Sequence, residues 1–394
     1  MHILLLAPAI VDYSIEYANA VARNNARVTL VAPSRLFRET VQYVDDTVDL
    51  RLLDWPRHRS LRNAIFLFRF ISLVERLQPD VIHFLSEGIS WLSFVVPFLS
   101  RRYPIVTTMH DVEYHPGDHA SRRVPRCFAN HLIARSDKVL VHGARLRRDA
   151  KQRYPKLATK FEVMPHVLFL RYFDIARRNK MSRKHDRTIN VLFFGRIYAY
   201  KGLDVLIRCV PLVVKSFSNI RITIAGTGED IDKYISMMHD LSYYDIRNRH
   251  IPDEEVAELF TEADIIVFPY VEASQSGVLA IAYSFGKPVI VTDVGELAST
   301  IEDGKTGLIV PARDEGALAE AILRLARNPA LRTELGNSGR IAAHGSASPK
   351  LVADIATKIY EELLVHKNRA GSSFAAKTSW WKPLKNGIMT NFFR

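Results

Sequence analysis

Cysteine is scarce in this 394-residue chain. The two present, Cys127 and Cys209, lie far apart with no metal or redox spacing. That excludes a disulfide framework and fits a reducing compartment. Long apolar runs are missing too: residues 64–74 and 89–99 are too short or too interrupted to span a bilayer. The apolar start, residues 2–8, has no basic region before it and soon meets Asp12, so a first buried strand is expected rather than a secretory signal. No G-x-G-x-x-G follows that strand, which argues against a nicotinamide-dependent dehydrogenase. Zinc-finger, helix-turn-helix and aromatic-interleaved basic modules are also absent, so nucleic acid is not an expected partner.

The length exceeds what one hydrophobic core usually organises, so two domains are expected. Charge divides unevenly between the halves. Residues 1–187 carry 31 Lys/Arg against 18 Asp/Glu, whereas residues 188–394 carry 23 against 24. The excess lies in patches at 57–62, 122–126, 145–153 and 177–187. Such a face is either simply solvated or drawn to anionic lipid or a phosphorylated acceptor.

Short β-branched and apolar runs alternate with helical periodicity, as in parallel α/β sheets. Strands are expected at 3–6, 28–31, 81–84, 105–109, 138–141 and 161–164, with a loop over 7–14 and a helix over 16–24. Residues 36–60 are polar and irregular in pattern, and 63–77 have helical periodicity. The strand at 105–109 delivers His110 and Asp111 to its C-terminal end, where open sheets bind ligands, with His115 in the same polar loop. Their spacing does not suit a metal. Charge density rises from 169 to 190, and the strand pattern restarts at 189. This divides the chain into a domain over 1–175, a basic linker over 176–188, a second domain over 189–365 and a tail over 366–394. The tail's Trp380-Trp381, Phe392-Phe393 and lysines would dock on the first domain or at a membrane interface.

In the second half, Gly195-Arg196 and Lys201-Gly202 bracket a strand-to-helix connection, and a fork plus a point charge suit a diphosphate. Gly226-Thr227-Gly228 ends the next strand. Arg249-His250-Ile251 leads to Pro252-Asp253, where Asp253 is expected to cap a helix carrying Glu254 and Glu255 in its first turn. The stretch 269–293, PYVEASQSGVLAIAYSFGKPVIVTD, reads as strand end, loop, short helix and strand. Its backbone N–H groups over 273–277 form either an anion or sugar cradle or an ordinary turn.

In order and context these motifs, with HDVEYHPG, PDEEV and DGKTGLIVP, resemble the retaining glycosyltransferases of family 4, most of all a bacterial subgroup building exopolysaccharide and other surface glycans. The resemblance covers about residues 1–365. It implies a GT-B fold: two Rossmann-like domains with parallel sheets facing across a cleft. It also implies a UDP- or GDP-linked sugar donor on the second domain, and a lipid-linked or saccharide acceptor on the first. Arg196 and Lys201 would hold the diphosphate. Gly195, Gly226, Gly228, Glu272, Ser274, Gln275, Ser276, Gly277 and Val278 would surround the donor, Arg249, His250 and Ile251 would line the base pocket, and His110 would contact the sugar. Asp12, Asp111 and His115 are acceptor-side candidates. No metal and no permanently bound cofactor are expected, and the chain would act in the cytoplasm, peripheral on the inner face of the cytoplasmic membrane. One departure stands out. Aligned back from Gly286-x-Pro288, the family's two glutamates fall at Ala273 and Ile281, with Glu272 one place before the first. A nucleotide-sugar epimerase and a non-catalytic partner subunit are the alternatives.

Overall fold

A computed structural model describes residues 1–57, 60–88, 90–113, 125–183, 187–273 and 276–371. His115, Ser274 and Gln275, and the aromatic tail beyond 371, lie outside the described residues.

The first half builds a seven-stranded sheet from His2–Leu6 (β1), Arg27–Pro33 (β2), Val48–Leu53 (β3), Val81–Phe84 (β4), Ile105–Met109 (β5), Lys138–Val141 (β6) and Phe161–Val163 (β7). The second builds a six-stranded sheet from Ile189–Phe194 (β8), Ile220–Gly226 (β9), Tyr244–Asn248 (β10), Ile265–Phe268 (β11), Val289–Thr292 (β12) and Leu308–Val310 (β13). Their orders are β3-β2-β1-β4-β5-β6-β7 and β10-β9-β8-β11-β12-β13, every pair parallel. Helices cover both faces, so the central strands are apolar throughout: β1, β4, β5, β11 and β12 are fully buried. In each sheet the first strand pairs on both sides. β1 sets Ile3 against Val28 and Val81, and β8 sets Val191 against Ile222 and Ile265. The strand order reverses there, which opens a crevice at the C-terminal strand ends. The loops at those points begin at Ala7 and Leu85 in the first sheet, and at Gly195 and Pro269 in the second.

Several local expectations need correction. The first helix spans Val11–Arg23, entered through Ile10 at φ 55°, so Asp12 sits in a helical first turn rather than a loop. β3 runs through the stretch read as irregular, because only Val48 of VDLRLL is fully buried in that edge strand and no apolar alternation shows. Pro252, not Asp253, precedes the helix Asp253–Glu262, and no side chain caps it; the Asp253 carboxylate turns to Arg171 instead.

The C-terminal helix Pro349–Gly371 returns to pack on Val11–Arg23. Buried Tyr360 meets the Tyr17 hydroxyl at 2.7 Å and His83 Nδ1 at 2.7 Å. One apolar core runs through both halves, from Ile3 and Tyr17 to Phe268 and Tyr360.

Candidate functional site

The loop after β8 and the loop after β11 are stitched together by backbone. The Tyr200 carbonyl accepts from the N–H groups of Val271 and Glu272 at 2.9 and 3.4 Å. Tyr200 also gathers the two predicted cations. Its hydroxyl accepts from Arg196 Nη2 at 3.4 Å, and Lys201 Nζ lies 5.2 Å from its ring centroid. Arg196 further sits 5.5 Å over Tyr198, and Lys201 3.8 Å over the buried ring of Tyr270. Aromatic faces thus hold both charges by cation–π attraction at the sheet's crevice, where they can meet an anion. The Tyr270 hydroxyl meets buried Ser276 Oγ at 3.2 Å, at the start of the helix Gly277–Ser284.

The glycines serve this stitching. A Cβ on Gly226, at φ 141°, would lie 1.8 Å from the Gly195 carbonyl oxygen, and one on Gly202, at φ 67°, 1.8 Å from that of Pro269. The turn 226–228 therefore abuts the 195–197 backbone, with Ile197 N–H donating to Thr227 O at 2.8 Å. Gly195 itself faces Val278. Gly226→Ala should destabilise the protein by about 3 kcal/mol or more, from strained φ and overpacking. Gly345→Ala, in a helix with nothing near its Cβ, should be neutral or gain about 0.5–1 kcal/mol. Melting midpoints of the two variants check this, and equal losses would contradict it.

Across the crevice, His110 caps β5. Its Nε2–H donates to the Leu85 carbonyl at 2.9 Å, so the neutral ring presents Nδ1 as an acceptor. Burial lowers its pKa, opposed by the Leu85 bond and the Asp111 charge. The sequence did not signal its surroundings. Tyr13 lies edge-on to His110, 4.9 Å between centroids, and touches His142 and His166, each at 5.2 Å. His142 bridges His110 and His166 at 4.9 Å from each. His166 and Phe169 abut Gly277, so this cluster reaches the start of the second half's helix. Glu87 also went unread. Its carboxylate accepts from the His110 N–H at 3.4 Å, and burial, then the Asp111 charge, pushes its pKa up to about 7. The polar Ser86-Glu87-Gly88 turn at the C-terminal end of β4 is the signal that could have found it.

Other predicted residues lie elsewhere. Asp12 pairs with buried Arg171, which also reaches Asp253 at 3.3 Å and the Tyr172 hydroxyl at 2.7 Å, fastening the first helix to the second half. Arg249 clasps Glu255 with both terminal nitrogens at 2.7 Å, His250 is exposed, and Ile251 is buried. Ala273 and Ile281 are both buried. A cavity of about 670 Å³ opens between the halves, lined by Val112, Arg145, Glu272, Asp293 and Glu296 among others. It takes in Glu272 but neither His110 nor the two cations, so it lies beside the cluster. Glu296 spans it: from the second half its buried carboxylate accepts the N–H groups of Arg145 and Leu146, at 2.9 and 3.2 Å, at the start of the helix Ala144–Arg153. No group of side chains able to hold a metal occurs among the described residues.

Comparisons with known proteins agree with this architecture. Residues 11–168 match the model described as Glycosyltransferase Family 4, and 188–328 that described as Glycosyl transferases group 1. The D-inositol 3-phosphate glycosyltransferase of Pseudarthrobacter chlorophenolicus is 27% identical over 306 residues, 72% of each chain. The capsular polysaccharide biosynthesis glycosyltransferase CapM of Staphylococcus aureus is 26% identical over 195 residues, 47% of this chain and 50% of its own. Among solved structures, Anabaena HepE with UDP and glucose superposes with TM-score 0.66 at 14% identity, covering 91% of this chain and 99% of its own. Two family models on successive halves, over two facing parallel sheets, place the chain in glycosyltransferase family 4, with the GT-B fold.

Proposed function

We propose that the chain moves a hexose, with retention, from a UDP- or GDP-sugar to a lipid-linked or saccharide acceptor in surface-polysaccharide synthesis. The observation that carries this is the pair Arg196 and Lys201, held by Tyr198, Tyr200 and Tyr270 at the crevice of the second sheet. A diphosphate leaving group gathers negative charge as its bond to the sugar breaks. A fixed guanidinium and ammonium stabilise that charge without a metal. Residues 189–365 carry the donor and 1–175 the acceptor, which attacks from the face the diphosphate leaves. His110, whose pKa burial lowers, accepts a hydrogen bond from a sugar hydroxyl through Nδ1. The kinds of relative support the reading: inositol-phosphate and capsular glycosyltransferases, and a structural neighbour that binds UDP and glucose. So does the basic first half, for work on the cytoplasmic face of an anionic membrane; no described helix is long and apolar enough to cross one.

Thermal-shift screening with UDP, GDP, UDP-glucose and GDP-mannose tests the donor class. One nucleotide and its sugar conjugate should raise the melting midpoint, as linkage requires of a ligand that binds only the folded state. No shift with any of them would remove the reading. A second reading, a partner subunit without turnover, draws on Ala273 and Ile281, which put apolar side chains where the resemblance places carboxylates. Nucleotide binding without hydrolysis or transfer in any donor–acceptor pair would favour it.

A further inference from the structure

The cavity of about 670 Å³ between the halves is bounded by two loops that also shape the cleft. Val112, two residues after His110, forms one edge. Val271 and Glu272, whose N–H groups bond to the Tyr200 carbonyl, form another. Because it takes in neither His110, Arg196 nor Lys201, the cavity flanks the place of bond-making rather than containing it. Its size is that of a small-molecule site. One wall is a face of the helix Ala144–Arg153, with Arg145, Asp149 and Gln152 at i, i+4 and i+7. That wall is fixed against the second half, since the Glu296 carboxylate accepts the N–H groups of Arg145 and Leu146. The contact is close: a Cβ on Gly143 would fall 2.2 Å from that carboxylate.

The lining has the opposite charge to the half that supplies the helix. Residues 1–187 are strongly basic. Yet among the described residues Glu113, Asp149, Glu272, Asp293 and Glu296 line the cavity against Arg145 and Arg153 alone, and Arg153 is paired with Glu113 at 3.0 Å. A phosphate or uronate entering would meet an excess of like charge, in a crevice whose walls focus the field. A neutral sugar meets carboxylates and an amide suited to its hydroxyls, and Val112, Leu146, Val271 and Val294 offer apolar surface to its C–H faces.

We propose that this cavity binds the second sugar of a neutral oligosaccharide, with Asp149 and Gln152 hydrogen-bonded to its hydroxyls and the terminal sugar lying between it and the donor. The chain then extends a saccharide of at least two units, not a single sugar or a bare lipid phosphate. That this oligosaccharide is the acceptor rests on the transferase reading; its binding in the cavity does not.

The test is saturation-transfer NMR on the full chain without nucleotide. The probes are glucose, galactose and mannose, the disaccharides maltose, cellobiose, lactose and mannobiose, and the anions cellobiuronate and inorganic phosphate. At least one disaccharide should bind about tenfold or more tightly than its monosaccharides, and neither anion should displace it. Asp149→Ala with Gln152→Ala should weaken that disaccharide about tenfold or more, from lost hydrogen bonds to a charged and a neutral group. Both side chains are exposed, so the melting midpoint should hold. No disaccharide binding, equal binding of mono- and disaccharide, preference for either anion, or a variant that binds as wild type does would each overturn the proposal. Disaccharide binding in a protein whose melting midpoint ignores every nucleotide and nucleotide sugar would sustain the cavity's assignment and count against the transferase reading alone.

Discussion

Arg196→Ala and Lys201→Ala should each lower nucleotide-sugar turnover by about 10²–10³-fold, the cost of removing one preorganised group that stabilises developing charge. The loss should fall mainly on kcat. The diphosphate carries more charge on its bridging oxygen in the transition state than in the bound donor, so a cation aimed there acts more strongly on the former. Melting midpoints should barely move, since Arg196 is exposed and the tyrosines that hold both charges remain. Arg196→Lys should recover only part of the rate, because a point charge cannot reproduce the fork, and 5.5 Å over Tyr198 the planar guanidinium also stacks. Lys201→Arg should do poorly, since Nζ already sits 3.8 Å from the Tyr270 centroid and a wider head group would crowd that ring. Full activity in both alanine variants would end the assignment of these residues to the leaving group.

What could be read from the chain depended on periodicity. The buried strands β1, β4, β5, β8 and β11 showed as apolar runs because both sheet faces are covered. Edge strands did not: β3 and β10 are partly wet, and VDLRLL or YDIRN carry charge on one face. Arg196 and Lys201 could be named because they bracket a strand-to-helix turn. Tyr13, His142 and His166 could not, since they come from three distant segments that only the fold gathers around His110. Asp12 and Asp253 looked like loop and cap residues, and tertiary structure claimed both for the buried cation Arg171. That ion cluster is invisible to local patterns because its members lie 159 and 82 positions apart.

The same histidines should make the protein acid-labile well above the carboxylate range. Burial lowers the pKa of His110 and His142, and takes His83 to about 3 and His166 to about 4. Each is depressed below its unfolded value of 6.5, so each contributes stability above that pH and loses it as pH falls toward the folded value. The slope is about 1.4 kcal/mol per proton per pH unit. The rings add to one another's difficulty, since His110, His142 and His166 lie in contact and charging one opposes charging the next. Two carboxyls act in the opposite sense. Glu16 and Glu87 are pushed up to about 7 by burial, so they favour the folded state below their unfolded 4.5 and lose that advantage as pH rises through 7. Below 6.5, four groups that resist protons outweigh two that retain them. The net effect should be a loss of stability between pH 6.5 and 5. Melting midpoints across that range check it, and Glu87→Gln separates the contributions: it removes a group that retains its proton between its unfolded 4.5 and its folded value of about 7, so it should steepen the acid limb. A midpoint that climbs steadily from pH 7 to 5 would mean that the histidine cluster takes up protons in the folded protein, contrary to the burial that surrounds it.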